Sequence, residues 1–469
     1  MHGWPIRQGG RLCGTEVLEE ESMARSRFAG EGSAVAWALV AAGSLALGTA
    51  TVAGAQVATT VEPVDSVTLE GAVARALEVN PQVVQAETGV GTAEWGTRQA
   101  YASFLPTLSV SSGASLSSTE RYDPDLGATI SGSADSYSAG VNASMDLFSG
   151  GRNLAAVRSA RATVAAAEAT LVTRRFSVAL TTKQAFFAVL RAEELIKLNE
   201  ERIRQAEEQL SAAERRLQVG SATRSDVLRS RLELTNAKQA MLSAQTQRRT
   251  SMYSLGQAVG VVGPVAAIRP ETLEPQPLAL DFDAMRQIVL DESPSVLAAE
   301  ADVKVARAGV AQARAAYFPT LGVSGGYNWS NQTAALQGGR TSWRTSIGLS
   351  FPVFNGFQRE VAADRAHAQL TVAQAQAEDA TRAALADLEG MIAALALAEE
   401  QITILRESVE VAQEDYRVQQ ERYQHGAATI LELVSSQIAL IQAEYDLINA
   451  RYDYQIAKAE LESLVGREL

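Results

Sequence analysis

The sequence predicts a mainly α-helical protein with a small β part, in which one helix–hairpin–long helix–helix unit occurs twice. Two observations support this prediction: short motifs return at a nearly constant spacing, and proline is absent from residues 125–263 and 353–469. A third is the alternation of polar and apolar residues in two stretches of each unit, which is typical of β-strands. Each half is therefore expected to contain long helices and a few strands.

The composition narrows the class of protein. The chain has 469 residues, of which 46% are hydrophobic and 20% charged, with one cysteine and 12 prolines. Such low cysteine and proline contents argue against disulfide-stapled, collagen-like and proline-rich disordered proteins. A net charge of -13 argues against a protein that binds nucleic acid through its phosphates. A mean hydropathy of -0.03 is too polar for a bundle of membrane-spanning helices.

The N-terminal region has the pattern of a secretory signal peptide. Two arginines precede an apolar run at residues 34–47, and a small-residue cleavage site ends at Ala55. Residues 23–55 are therefore predicted to be the signal peptide, and residues 1–22 a non-native or mis-annotated extension. A membrane anchor is the alternative, but the run is shorter than the roughly 20 residues that a spanning helix needs. The mature chain contains no cysteine, so we expect it to be exported without disulfides.

The chain is predicted to be an internal duplication. Two prolines of the first unit return 213 residues later, Pro81 and Pro106 as Pro294 and Pro319. Further on the spacing falls to 206, and Phe148 and Gly220 return as Phe354 and Gly426. The single change of spacing indicates that one loop is shorter in the second copy. We assign three segments on this basis: a first repeat at 56–260, a linker at 261–283 and a second repeat at 284–469.

Each repeat is predicted to contain a very long helix that turns back at a glycine. No glycine or proline lies between Gly151 and Gly220, so a helix over residues 152–218 would be roughly 100 Å long. Apolar residues recur at seven-residue spacing in both copies: Val189, Ile196, Ile203 and Leu210, and Leu395, Ile402, Val409 and Tyr416. This spacing predicts coiled-coil seams. Turns at Gly220 and Gly426, with positive φ, would make the seams antiparallel hairpins.

Two strands per repeat are predicted between the helices, at residues 107–118, 137–148, 320–331 and 343–354. Each is close to the length of a tilted outer-membrane strand, and aromatic residues flank them. Soluble hairpins are the alternative. Four strands cannot close a barrel or satisfy their edges in lipid, whereas three chains supply twelve. A membrane position, in contact with outer membrane lipid, therefore requires closure of the sheet by an oligomer.

The order and double occurrence of these motifs resemble the TolC-like outer membrane efflux protein family over residues 66–469. The matching motifs are the Asn80-Pro81 and Ser293-Pro294 helix starts, Phe104-Leu-Pro-Thr-Leu, Leu147-Phe-Ser-Gly-Gly and Val219-Gly-Ser-Ala-Thr. The resemblance implies an outer membrane factor of a tripartite efflux or type I secretion system. It implies a homotrimeric, twelve-stranded barrel that continues into a helical tunnel across the periplasm. The implied partners are a periplasmic adaptor (membrane fusion) protein and an inner-membrane pump or ABC exporter, and no catalysis is implied.

The resemblance also implies that the helical tips, near 219–226 and 425–432, contact the adaptor. The candidate docking residues are Val219, Gly220, Ser221, Thr223, Gly426, Ala427 and Thr429. The candidate entrance gate and selectivity residues are Asp226, Tyr423 and Glu432. The alternatives are turn residues that only cap helices and a solvated glutamate on a helix face.

The entrance departs from the family pattern at two positions. Ser435 stands where a second acidic residue is expected, which argues against strong cation selectivity. Ala428 stands where an arginine is expected, and Arg224 or Arg422 is the candidate replacement.

Few residues suited to catalysis or metal binding remain in the mature chain. It has two histidines, His367 and His425, no cysteine and no glycine-rich phosphate loop. No enzyme activity, metal or cofactor is therefore predicted. The expected function is a passive exit duct of an export machine, with a cargo that the sequence leaves open among drugs, metal ions, peptides and proteins. The alternatives are an exported coiled-coil structural or adhesive protein and a periplasmic adaptor.

Overall fold

The structure is a computed structural model that describes residues 66–467 except 124, 126, 134, 271–281 and 336. The predicted extension, the predicted signal peptide and much of the predicted linker lie outside the described residues. The chain forms two compact units. The larger unit contains all the described helices, and the smaller unit includes residues 114–137 and 330–339.

The two repeats share an order of helices, strands, long helix and returning helix, and the first has an additional hairpin. The first repeat contains β1 (Ser66–Val67), α1 (Leu69–Val79), α2 (Pro81–Ala102), β2 (Thr107–Ser115), β3 (Ser118–Asp123), β4 (Ala128–Ser133), β5 (Ser136–Phe148), α3 (Arg152–Gln218) and α4 (Arg224–Ala258). The predicted linker and second repeat contain β6 (Ala266–Ala267), α5 (Phe282–Glu292), α6 (Pro294–Arg314), a 3₁₀ turn (Ala315–Tyr317), β7 (Thr320–Asn331), β8 (Arg340–Ser350), α7 (Gln358–Gln424) and α8 (Ile430–Val465). The prediction of a mainly α fold with a small β part is confirmed.

The four long strands pair in the order β2-β5-β7-β8. Contacts between facing residues show an antiparallel register. Thr107 bonds Ser144 and Ser138 bonds Gly113 between β2 and β5, and Ser324 bonds Ser346 between β7 and β8. Between β5 and β7, Gly140 faces Asn328 and Gly326 faces Asn142. Neighbouring strands of this sheet therefore run in opposite directions.

The strand bounds differ from the prediction at three places. β2 ends at Ser115 rather than at residue 118, and β5 begins one residue before 137. β8 covers 340–350 rather than 343–354, and its earlier end is explained by Pro352, which has no N–H to donate to a ladder. A further antiparallel hairpin, β3–β4, was not predicted; it pairs Ser118 with Ser133 within the smaller unit.

The helices of the larger unit pack along the predicted seams. α3 pairs with α4 and α7 pairs with α8, while α3 also contacts α2, α6 and α8. All eight seam residues are buried or half-buried. Two mostly buried ion pairs join the helices: Lys183–Glu462 (2.6 Å) between α3 and α8, and Arg202–Glu233 (2.7 Å) between α3 and α4. The contacts of α3 with α6 and α8, together with the Lys183–Glu462 ion pair, thus join the two repeats.

A short parallel ladder also links the repeats. β1 pairs with β6, Val67 lies opposite Ala267, and the Ile268 N–H donates to the Val67 carbonyl at 2.8 Å. Among the described residues, no helix is both long enough and apolar enough to cross a membrane.

Candidate functional site

The four-stranded sheet has one apolar and one polar face. Since the register is constant, every second residue of each strand reaches the same face. Large apolar residues build one face: Leu108, Val110, Val141, Met145, Trp343, Ile347 and Leu349. Small polar residues build the other: Thr107, Ser109, Asn142, Ser144, Ser324 and Ser346. The apolar side chains are largely exposed, Val110 by 77% and Ile347 by 70%, so this face is suited to a non-aqueous neighbour.

β2 and β8 are the two edges of this sheet. Each has one neighbour in the strand order, and every residue of both strands is exposed. Edge strands present unpaired N–H and C=O groups, which lipid cannot satisfy. Within the part of the chain that the structure describes, the sheet is therefore open at both edges.

Both helical tips turn through the same backbone arrangement. Gly220 and Gly426 have φ of +76° and +75°, which confirms the predicted positive φ. After α3, the Gly220 N–H donates to the Leu217 carbonyl at 3.1 Å, and the Ser221 N–H donates to the Arg216 carbonyl at 2.9 Å. The equivalent bonds after α7 measure 3.1 and 2.8 Å. This Schellman motif satisfies the last carbonyls of the helix and requires the left-handed glycine.

Each returning helix then begins with a capping box. The Asp226 carboxylate accepts the Thr223 N–H at 2.8 Å, and the Asp226 N–H donates to Thr223 Oγ1 at 3.2 Å. Glu432 and Thr429 make the same two bonds at 2.7 and 3.4 Å. The hydrogen bond from the Thr429 N–H lowers the pKa of the Glu432 carboxyl. Both candidate gate carboxylates thus have a local structural role, and their gating role stays a prediction.

The seven candidate docking residues all lie on the exposed surface of the two turns. Val219 is the most prominent, with 78% of its surface exposed. Because the Schellman motif and the capping box follow each other directly, these residues are held in a fixed backbone shape. Their contact with an adaptor stays a prediction.

Tyr423 contacts a cation that the sequence motifs did not indicate. The guanidinium of Arg216 lies 4.3 Å from the centroid of the Tyr423 ring and donates to the Gln424 carbonyl at 2.6 Å. Arg422, one of the two predicted cations, instead donates to the Ala427 carbonyl at 3.2 Å. The buried Tyr423 hydroxyl has no hydrogen-bond partner among the described residues. The duplication could have indicated this cation, because Arg216 lies 206 residues before Arg422 and is its counterpart in the first repeat.

The histidines do not form a metal site. Within the described ranges, no group of three or more His, Cys, Asp or Glu residues is placed to hold a metal ion. His367 Nε2 lies 2.9 Å from the Arg314 guanidinium, and His425 is exposed at the end of α7.

A comparison with known families decides the class of this protein. The model of the family described as outer membrane efflux protein matches residues 72–261 and 285–467, one segment in each repeat. The chain belongs to the outer membrane efflux protein family. The resemblance inferred from the motifs is thereby confirmed, and the protein is assigned to the outer membrane.

Individual relatives of the chain are distant. It is 25% identical over 281 residues to the probable efflux pump outer membrane protein TtgC of Pseudomonas putida, covering 59% of this chain and 58% of TtgC. It is 25% identical over 219 residues to the alkaline protease secretion protein AprF of Pseudomonas aeruginosa, covering 44% of each chain. The chain thus spans less than two thirds of the length of these relatives.

The fold is shared with solved outer membrane proteins. The crystal structure of VceC from Vibrio cholerae superposes with a TM-score of 0.71 at 19% identity, covering 85% of this chain and 96% of VceC. The names of these relatives describe outer membrane, efflux and secretion proteins rather than enzymes.

Proposed function

We propose that this outer membrane efflux protein is the passive exit duct of a tripartite efflux or type I secretion system. The main observation in support is the edge-open sheet with its exposed apolar face. Lipid suits that face, whereas the serine-rich and asparagine-rich face suits a water-filled channel. The proposed duct catalyses no reaction.

The proposed duct is a homotrimer. Each chain contributes four long strands, and pairing β8 of one copy with β2 of the next would close twelve strands and leave no edge in lipid. α3 and α7 have 67 residues each, so the helical hairpins would extend the channel into the periplasm by roughly 100 Å.

The proposed partners are a periplasmic adaptor at the helical tips and an inner-membrane pump or ABC exporter that supplies energy. The exposed turns at Gly220 and Gly426, each hydrogen-bonded in the same backbone arrangement, support a docking role for the tips. TtgC is named for an efflux pump and AprF for the secretion of a protease, so relatives are associated with both kinds of export.

The proposal is tested by the mass, in detergent, of mature protein extracted from a washed membrane fraction. Three chain masses, with no protein in the soluble pool, are expected because an open sheet edge is unstable in lipid. A soluble monomer or dimer would contradict the proposal. It would favour an exported coiled-coil structural or adhesive protein instead.

We predict that Glu432→Gln lowers the cation preference of the reconstituted channel. Glutamine keeps the capping box at Thr429 but removes the charge, which three copies would place around the entrance. The expected change is a fall of roughly twofold in the cation-to-anion permeability ratio, measured as a reversal potential in planar bilayers. The matched control is Glu378→Gln, the same charge change at an exposed position of α7 far from the tip. An unchanged ratio in Glu432→Gln would assign Glu432 to helix capping alone.

A further inference from the structure

The polar face of the four-stranded sheet has few charges. Serine, threonine, glycine and asparagine occupy most of its positions in β2, β5, β7 and β8. The charged residues at the described positions of this face are Asp146, Arg340 and Arg344. These three side chains determine the electrostatic character of the face.

The negative charge on this face is compensated within the chain. Asp146 Oδ2 lies 3.0 Å from the guanidinium of Arg152, which begins α3. Neither Arg340 nor Arg344 has a described carboxylate within ion-pair distance, and both are exposed. The uncompensated charge on the described polar face is therefore positive.

Arg344 is surrounded by small residues on the polar face of the sheet. The register of β7 and β8 places it opposite Gly326. A Cβ at Gly326 would lie 2.5 Å from Asn142 Oδ1, and one at Gly140 would lie 2.2 Å from Asn328 Oδ1, so these amides lie flat over the glycines. The long arginine side chain consequently extends beyond its neighbours on this face.

We propose that Arg340 and Arg344 make the polar sheet face an anion-favouring surface that sets the ion preference of the outer part of the channel. This inference rests on the proposed function, because it takes the polar face to line the channel. Three copies would turn each arginine into a ring of three, the arrangement by which pores favour anions. Small anions and the anionic groups of cargo are the ligands of these rings. Their effect is opposite in sign to that of Glu432 at the tips.

The test is the reversal potential of the purified trimer in neutral-lipid bilayers under a KCl gradient. Arg344→Gln and Arg340→Gln are each expected to shift the permeability ratio toward cations by roughly twofold at 0.1 M salt. The shift should shrink at 1 M salt, where the Debye length falls from about 10 Å to about 3 Å. Arg344→Lys, which keeps the charge, should retain the wild-type ratio. Ser342→Gln lies between the two arginines on the same face and controls for side-chain size.

The possible outcomes distinguish failure of the inference from failure of the proposed function. Conducting channels whose ratio is unchanged in both glutamine variants would overturn the inference and leave the exit duct intact. An equal shift in Ser342→Gln would also overturn it, because the effect would then follow side-chain size rather than charge. Failure of the wild-type trimer to conduct would overturn the proposed function together with the inference. If Arg344→Gln does not assemble, the ratio measured for Arg340→Gln tests the same charge effect.

Discussion

Ile347→Arg is expected to remove most of the protein from the outer membrane. Ile347 lies near the middle of β8, with 70% of its surface exposed on the apolar face. An arginine on the lipid side near the bilayer midplane costs about 2–4 kcal/mol, and the proposed trimer would contain three. The measurement is the amount of trimer that detergent extracts from washed membranes, relative to the wild-type protein.

The neighbouring residue provides the matched control. Ser346→Arg adds the same charge one position earlier, where the side chain lies on the polar face and contacts Ser324 Oγ at 2.8 Å. This variant is expected to insert, because a charge on the channel side stays in water. Equal insertion of both variants would contradict the lipid contact of the apolar face. Equal loss of both would contradict the assignment of the two faces.

The long helices can be predicted because a few residue types decide where they begin and end. The helix predicted over residues 152–218 is α3, since no glycine or proline interrupts it. The turn at its end follows from Gly220, which alone in that segment adopts a left-handed conformation without steric cost. The seam follows from seven-residue spacing, a local pattern that fixes which face of a helix is buried.

Features that depend on tertiary context could not be predicted in this way. Phe357 precedes α7 with φ of +65°, where the first repeat has Gly151 at +85°. A bulky residue is rare in this conformation, so no propensity predicts it. The Phe357 ring packs edge-on against Phe354 at 5.5 Å. The β3–β4 hairpin was missed for a similar reason, because its polar strands lack a clear alternation of apolar residues.

The backbone conformation of the candidate site could be predicted from the sequence, but its side-chain contacts could not. The tip glycines and the threonine caps follow from local sequence. The contact of Arg216 with Tyr423 joins two helices whose residues are about 200 positions apart, and its geometry depends on how α3 and the end of α7 pack. Sequence spacing does not determine such a distance.

Gly220→Pro and Gly426→Pro are each expected to abolish export while leaving the trimer intact. Proline holds φ near −65°, whereas these positions require +76° and +75°. The substitution also removes the N–H that donates to the Leu217 or Tyr423 carbonyl, so the Schellman motif cannot form. α3 and α7 begin beside the sheet and end at the tips, so assembly through the sheet should be unaffected. Export is measured as accumulation of a panel of dyes in cells whose only export duct is this chain.

Alanine variants at Gly220 and Gly426 show whether the backbone conformation of the turn or the added side chain affects export. A Cβ at Gly220 or Gly426 would meet no atom within 4 Å, so alanine costs only the left-handed backbone, about 1–2 kcal/mol. Alanine variants should therefore weaken export, and proline variants should abolish it, at equal amounts of membrane trimer. Loss of trimer in the proline variants would show that the tips are needed for folding rather than for docking. Normal export in both proline variants would exclude the tips from the mechanism, and the proposed adaptor would then have to contact exposed side chains elsewhere on the described helices.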